Sequence, residues 1–258
     1  MTTLPIREMT YDQLTVMVYA DSETMGRAAA EAAAATIQEA IDQRGTANVI
    51  LATGNSQLTF LAALRENREI DWTAVTIFHM DEYLNLRPGH PAGFSQYLHR
   101  NLLDHVPVER FYPVPGHPAD TELACRGYET LLKAHPPDLC CLGIGENGHI
   151  AFNDPHVADF GDPVWMKVVE MDEVSRRQQV GEGHYGSLSE VPTYALTLTI
   201  PALRAASRLL CIVPESRKAR AVRDALLGPI STDCPASILR LTPHTSLLLD
   251  PDAAAQIV

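Results

Sequence analysis

The sequence predicts an α/β protein built on a single, mainly parallel, doubly wound (Rossmann-like) sheet with helices on both faces. Three observations predict it. Short apolar runs rich in branched residues alternate with longer segments of helical periodicity, the pattern of successive βαβ units. No internal repeat or low-complexity tail interrupts that alternation. The stretches 53–57, 81–83, 145–154 and 214–218, rich in glycine, hydroxyl or charged residues, each follow an expected strand, where open α/β sheets bind their ligands. At 258 residues, one domain spanning 1–258 is expected.

Residues 14–20 read as a first strand. Asp21 or Ser22 caps a long helix on which Met25, Ala28, Ala29, Ala32, Ile37 and Ile41 recur at helical spacing, and Gly45 ends it. Residues 47–52 form a second strand that runs into Thr53-Gly54-Asn55-Ser56-Gln57 and an apolar helix carrying Leu58, Phe60, Leu61 and Leu64. Such a junction gathers backbone N–H groups and a helix dipole in one place, which suits a phosphate. A plain strand-to-helix turn is the bland alternative.

Residues 75–80 make a third strand and deliver Asp81-Glu82-Tyr83 at its end. Adjacent acids there point in different directions, so one can face a pocket while the other makes structural contacts. Residues 94–103 read as a helix, and the proline-rich 111–118 as an edge strand or a connection. Residues 121–133 are helical until Pro136-Pro137 stops them, and 138–144 form the strand before the central loop.

Beyond that loop, 164–170 is a further strand, followed by a polar stretch, 172–185. It holds Arg176, Arg177, Gln178, Gln179 and His184, and Gly181, Gly183 and Gly186 in and just after it suggest a mobile lid. Residues 194–200 alternate Leu196, Leu198 and Ile200 with threonines. Residues 209–213 are a strand, and 215–218 open a helix through Leu227, which places Lys218 to meet a bound anion. A solvated lysine is the commoner case. Residues 237–241 and a last strand, 246–249, complete the chain.

The central loop runs from Gly143 through Gly145, Asn147, Gly148, His149, Asn153 and Asp154 to Pro155. Its glycines satisfy G-x-G-x-x-G, but Pro155 follows too soon for the helix that a dinucleotide site requires. What remains is one histidine with amide and carboxylate side chains close by in sequence. That is the minimum for holding an imidazole in one tautomer and using it as acid or base. A merely structural histidine in an ordinary turn is the competing reading.

Apolar residues make up 46% of the chain, enough for a sizeable core, and the formal net charge of −12 argues against nucleic acid or an acidic membrane surface as partner. Five cysteines without a C-x-x-C pair suit reduced thiols. The N-terminus has no signal pattern, and no apolar run approaches the ~18 residues that span a bilayer. A soluble cytoplasmic protein is expected, with no metal site, since no His/Cys cluster has ligand spacing.

The segments Phe78-His79-Met80-Asp81-Glu82-Tyr83, 143–155, Val191-Pro192-Thr193-Tyr194-Ala195-Leu196-Thr197 and Ser216-Arg217-Lys218-Ala219 occur in the order and spacing of the glucosamine-6-phosphate deaminase family, which the chain resembles from the first helix to Asp250. The resemblance implies a cofactor-free aldose–ketose isomerisation with deamination, giving fructose 6-phosphate and ammonia. By matching position, Asp81 would shuttle a proton between C2 and C1, His149 would assist ring opening, and Asn147 and Asp154 would orient His149. Thr53, Gly54, Asn55, Ser56 and Lys218 would bind the phosphate, with Arg176 or Arg177 nearby. It also points to a homo-oligomer, though monomers occur in the family.

The departures are specific. Asp154 stands for a usual glutamate, and Asn147 for a residue that is aspartate in some members. The usual T-G-G-T-P loop reads Thr53-Gly54-Asn55-Ser56-Gln57, and the place of a usual arginine falls around Gly181. A 6-phosphogluconolactonase-type hydrolase, which shares the fold, and a sugar-phosphate-binding regulator without turnover are the alternatives.

Overall fold

Strands that are apolar on both faces can sit only between two covering layers, and the centre of this fold is made of them. The structure, a computed structural model, describes residues 3–257. Its large sheet has the order β1 (Arg7–Tyr11), β2 (Leu14–Val18), β11 (Thr245–Leu249), β10 (Arg208–Val213), β7 (Leu139–Leu142), β3 (Ala47–Leu51), β4 (Val75–His79), β6 (Arg110–Tyr112). Every neighbouring pair from β2 to β6 is parallel, and β1 joins β2 as an antiparallel edge. The proline-rich stretch after position 110 contributes the opposite edge, where a missing N–H costs the ladder least.

Alternation along each strand divides the core in two. Val49 and Leu51 of β3 pack with α1 (Ser22–Arg44), α2 (Leu58–Arg65) and α3 (Phe94–Leu98), through residues such as Ala29, Ile37, Phe60 and Leu98. Ile50 faces the other way, toward α4 (Thr121–Ala134), α6 (Ile200–Arg204) and α7 (Ala219–Leu227), through Leu132, Leu203 and Val222. The doubly wound α/β class expected from the alternating pattern is thus the fold observed. Helix α1 has the ends its sequence predicts: the Asp21 side chain accepts a hydrogen bond from Thr24 N–H at 2.6 Å, and Gly45 leaves in the left-handed region at φ 80°.

One expectation is corrected. The strands do not all enter one sheet: β5 (Asp81–Tyr83), β9 (Tyr194–Leu198) and β8 (Met166–Glu170) form a separate antiparallel sheet in that order. β8 has its outer face in water, Val168 being 41% exposed. Such a half-solvated strand belongs to an antiparallel sheet rather than to a covered parallel one. The chain changes sheet at Met80, so Asp81 begins a new strand. The polar stretch after position 171 contains a helix, α5 (Glu173–Gly181), with Ser175, Gln178 and Gln179 buried.

Candidate active site

β10, β7, β3 and β4 lie side by side in the large sheet, and the cleft opens where their C-terminal ends stop. It measures about 540 Å³, counting the space open to solvent. Thr53, Gly54 and Ser56 enter it after β3, Asp81 after β4, Gly143 and Gly145 after β7, and Lys218 after β10. His149 lines it from the central loop, and α5 and the residue after it wall one side with Gln178, Gln179 and Glu182. The carboxyl at 81 and the imidazole at 149, distant in sequence, therefore share one cavity.

His149 is held by its Nδ1 edge. Nδ1 lies 2.7 Å from Asn147 Oδ1 and 3.0 Å from Asp154 Oδ1, both acceptors, so this nitrogen is the donor, and in the neutral imidazole Nε2 is the one that keeps a lone pair. Nε2 makes no hydrogen bond among the described residues, and the ring borders the cleft. The ring lies directly against Gly145: a Cβ there would come within 2.1 Å of it.

Asp154 is fully buried and well partnered. Its Oδ1 accepts from Asn147 Nδ2 at 3.0 Å and from Ser175 Oγ, and Oδ2 accepts from the Asp172 N–H at 2.8 Å. Burial alone would raise its pKa, but His149, Asn147 and Ser175 outweigh that and hold the carboxyl well below its usual range. Ser175 Oγ also sits 2.8 Å from His149 Nδ1, so α5 supplies a third anchor of the imidazole.

Asp81 is in the opposite condition. It is 6% exposed and its carboxyl makes no hydrogen bond among the described residues. Burial first, then the charge of Glu82, pushes its pKa well above the usual value. Glu82 does the structural work of the pair: its carboxylate accepts from the N–H groups of Tyr83, Phe94 and Ser95, two of them the start of α3.

Of the residues expected at an anion site, Thr53, Gly54, Ser56 and Lys218 line the cleft. Lys218 is 3% exposed, and its ammonium has no hydrogen-bond or ion-pair partner among the described residues. Burial, with Arg217 beside it, lowers its pKa despite Glu182 and Glu146. Asn55 does not line the cleft; its side-chain amide donates to the Glu182 carbonyl at 3.2 Å. Arg176 and Arg177 do not reach the cleft either. Gln178 and Gln179 of α5, and Glu182 just beyond it, are the ones that line it, and a step of about 100° per residue turns 176 and 177 away. Arg176 donates to the carbonyls of Leu188 and Val191, and Arg177 pairs with Glu173 in solvent.

Sequence reasoning did not single out Ser175 or Glu182, and it placed Gln178 and Gln179 in a polar stretch rather than on a helix face. Their 175, 178, 179, 182 spacing, one face of a helix, was the available signal. Gln178 ties two walls together, accepting from Glu146 N–H at 3.0 Å and donating to Glu182 Oε1 at 2.8 Å. Among the described residues no group of three His, Cys, Asp or Glu side chains could hold a metal ion, and no helix is long and apolar enough to cross a membrane.

A strand-end cleft that brings together an unpartnered carboxyl and an imidazole of fixed tautomer is an arrangement able to move protons on a small molecule. The chain belongs to the family described as glucosamine-6-phosphate isomerases/6-phosphogluconolactonase, whose model matches residues 20–248. Glucosamine-6-phosphate deaminase of Bacillus cereus strain B4264 is 35% identical over 224 residues, covering 87% of this chain and 83% of that protein. A solved monomeric glucosamine-6-phosphate deaminase superposes with a TM-score of 0.85 at 31% identity, covering 93% of this chain and 99% of the other. A putative 6-phosphogluconolactonase from Neisseria gonorrhoeae shares the fold at TM-score 0.70 and 18% identity, over 94% of this chain and all of the other.

Proposed function

We propose that this cleft isomerises and deaminates an amino sugar, glucosamine 6-phosphate or a close relative, to the ketose (fructose 6-phosphate for the former) and ammonia. The observation that carries the reading is the pair of free proton acceptors on one cavity, the Asp81 carboxyl and His149 Nε2. His149 Nε2 takes the anomeric hydroxyl proton and returns it to the ring oxygen, which opens the ring. Asp81 then removes the proton from C2, made acidic by the neighbouring carbonyl, while a proton of the C2 ammonium passes to the carbonyl oxygen, leaving an enolamine. Returning that proton to C1 gives the C2 iminium, water adds there, and ammonia departs.

Asp81 must be ionised to act as base, yet burial favours its neutral form. An incoming ammonium at C2 supplies the missing counter-charge, so the carboxylate is formed where and when substrate binds. The reaction needs no cofactor. We place it in the cytoplasm, in keeping with five free cysteines, three of them buried. The test is ammonia release from glucosamine 6-phosphate and from free glucosamine, against an Asp81→Asn control. Release from neither sugar above that control rejects the reading.

A further inference from the structure

Within the cleft, the turn after β3 and Lys218 look like a place for an anion, but a carboxylate already occupies it. Glu182 lies against Gly54, where an added Cβ would stand 3.5 Å from its Oε2. Its side chain is 5% exposed. It is fixed from three directions: Gln178 Nε2 donates to Oε1 at 2.8 Å, His184 Nε2 stands 3.3 Å from Oε2, and Asn55 holds the backbone carbonyl at 3.2 Å. Burial would raise its pKa, but His184, Lys218, Gln178 and Arg217 outweigh this and bring it down to about 2. The group is therefore a carboxylate across the physiological range.

The surrounding charge does not favour a second anion. Arg217 is engaged by Glu215 and approached by Glu146. Around Lys218 the carboxylates of Glu182, Glu146 and Glu215 thus outnumber the two cations, Lys218 itself and Arg217. A phosphate dianion entering here would meet a buried like charge, a juxtaposition that binding sites use to reject ligands. A hydroxyl has no such difficulty. It donates to the carboxylate and accepts from the ammonium, which satisfies both groups with no net charge brought in.

We infer that this end of the cleft receives an uncharged, hydroxyl-bearing end of the sugar, and that Glu182 is the residue that selects it over a phosphorylated one. The inference rests on the amino-sugar reading given under Proposed function and narrows its substrate class to unphosphorylated hexosamines. Asn55 has a part in it: the amide that was expected to bind phosphate instead holds the Glu182 segment onto the loop.

Two measurements test it. Steady-state ammonia release should show kcat/KM for glucosamine at least roughly tenfold above that for glucosamine 6-phosphate. Glu182→Gln, which preserves size and can still accept from Gln178, should move that ratio roughly tenfold or more toward the phosphate. A wild-type preference for glucosamine 6-phosphate, or a ratio that Glu182→Gln leaves in place, overturns the proposal. Calorimetry with 2-amino-2-deoxyglucitol and its 6-phosphate, which lack the carbonyl needed for isomerisation, reads the same selectivity without turnover. Tighter binding of the unphosphorylated form is expected; tighter binding of the phosphate, or binding of neither, overturns the proposal. Preferential binding of the unphosphorylated form together with no ammonia from either sugar would reject the deaminase reading alone.

Discussion

Asp81 and Asp154 are the same side chain, both buried at one cleft, in opposite electrostatic states. Asp154 is surrounded by donors from Asn147, Ser175 and Asp172 and held below its usual pKa. Asp81 has no hydrogen-bond donor among the described residues and is pushed above it. On the function proposed above, the difference separates the carboxyl that does chemistry from the one that positions. A base must keep its lone pairs for the substrate, so its own shell is left empty and the fold bears the cost. A positioning carboxylate is useful only if it never changes state, so its shell is filled.

The sharpest way to break the contrast is Asp81→Asn. Ammonia release is expected to fall about a thousandfold in kcat, within the usual range for loss of a general base, with KM little changed. The same substitution should raise the melting temperature at neutral pH. The sign follows from linkage: the folded pKa of Asp81 exceeds its unfolded value, so folding becomes less favourable as pH rises between the two, and at neutral pH a neutral isostere removes that penalty. A variant both inactive and less stable would contradict the account of Asp81 as an unpartnered base.

The pH profile separates the two carboxyls next. In kcat/KM, which reports the free enzyme, activity should be lost as pH falls through the raised Asp81 value. That limb lies above the ordinary aspartate range of about 4. Asp154, held lower, stays charged throughout it and contributes nothing to the limb. An acid limb at an ordinary aspartate pKa would show that Asp81 is solvated in the working enzyme.

How much of this was legible in the sequence depends on whether a residue's partner is local. His149, Asn147 and Asp154 fall within one loop, and Asp81 ends a strand whose neighbours also end there, so the strand-end rule gathers them. Which of Asp81 and Glu82 faces the cleft is settled by the amides at the start of α3, and no periodicity encodes that. Ser175 and Glu182 share a helical spacing with 178 and 179 that the sequence does show, but it does not show what that face meets. Their place depends on α5 docking onto the site, through contacts such as that of Asn55 with Glu182, 127 positions apart. The small sheet escaped notice similarly, because Asp81 follows Met80 without a turn signal and its partner, Thr197, lies far along the chain.

Gly145→Ala tests the imidazole side with a smaller effect. An added methyl would overlap the His149 ring, which has to move away from Nδ1 partners spaced for one position. A displacement of about 1 Å is expected to cost about a hundredfold in kcat. Binding of 2-amino-2-deoxyglucitol, measured by calorimetry, should change far less. Wild-type kcat in this variant would mean that the ring has no fixed station.

The smallest expected effect belongs to Ser175→Ala. His149 keeps Asn147 at 2.7 Å and Asp154 at 3.0 Å, so the imidazole stays in place and its tautomer is preserved. What is lost is the contact with His149 Nδ1 and the hydrogen bond to the Asp154 carboxylate, the latter worth about 1.5–3 kcal/mol where the charged group is left unsatisfied. Asp154 retains two other donors, so the cost in kcat should be nearer about 1 kcal/mol, or roughly fivefold. A purely structural serine would not move the acid side of the stability curve, but this one should. Asp154 stabilises the fold above its unfolded pKa and ceases to do so as pH falls through its lowered folded value. Removing Ser175 raises that folded value and moves acid unfolding, followed by circular dichroism, to higher pH. Unchanged kcat together with an unchanged acid midpoint would remove Ser175 from the group that holds the imidazole, leaving Asn147 and Asp154 to do so alone.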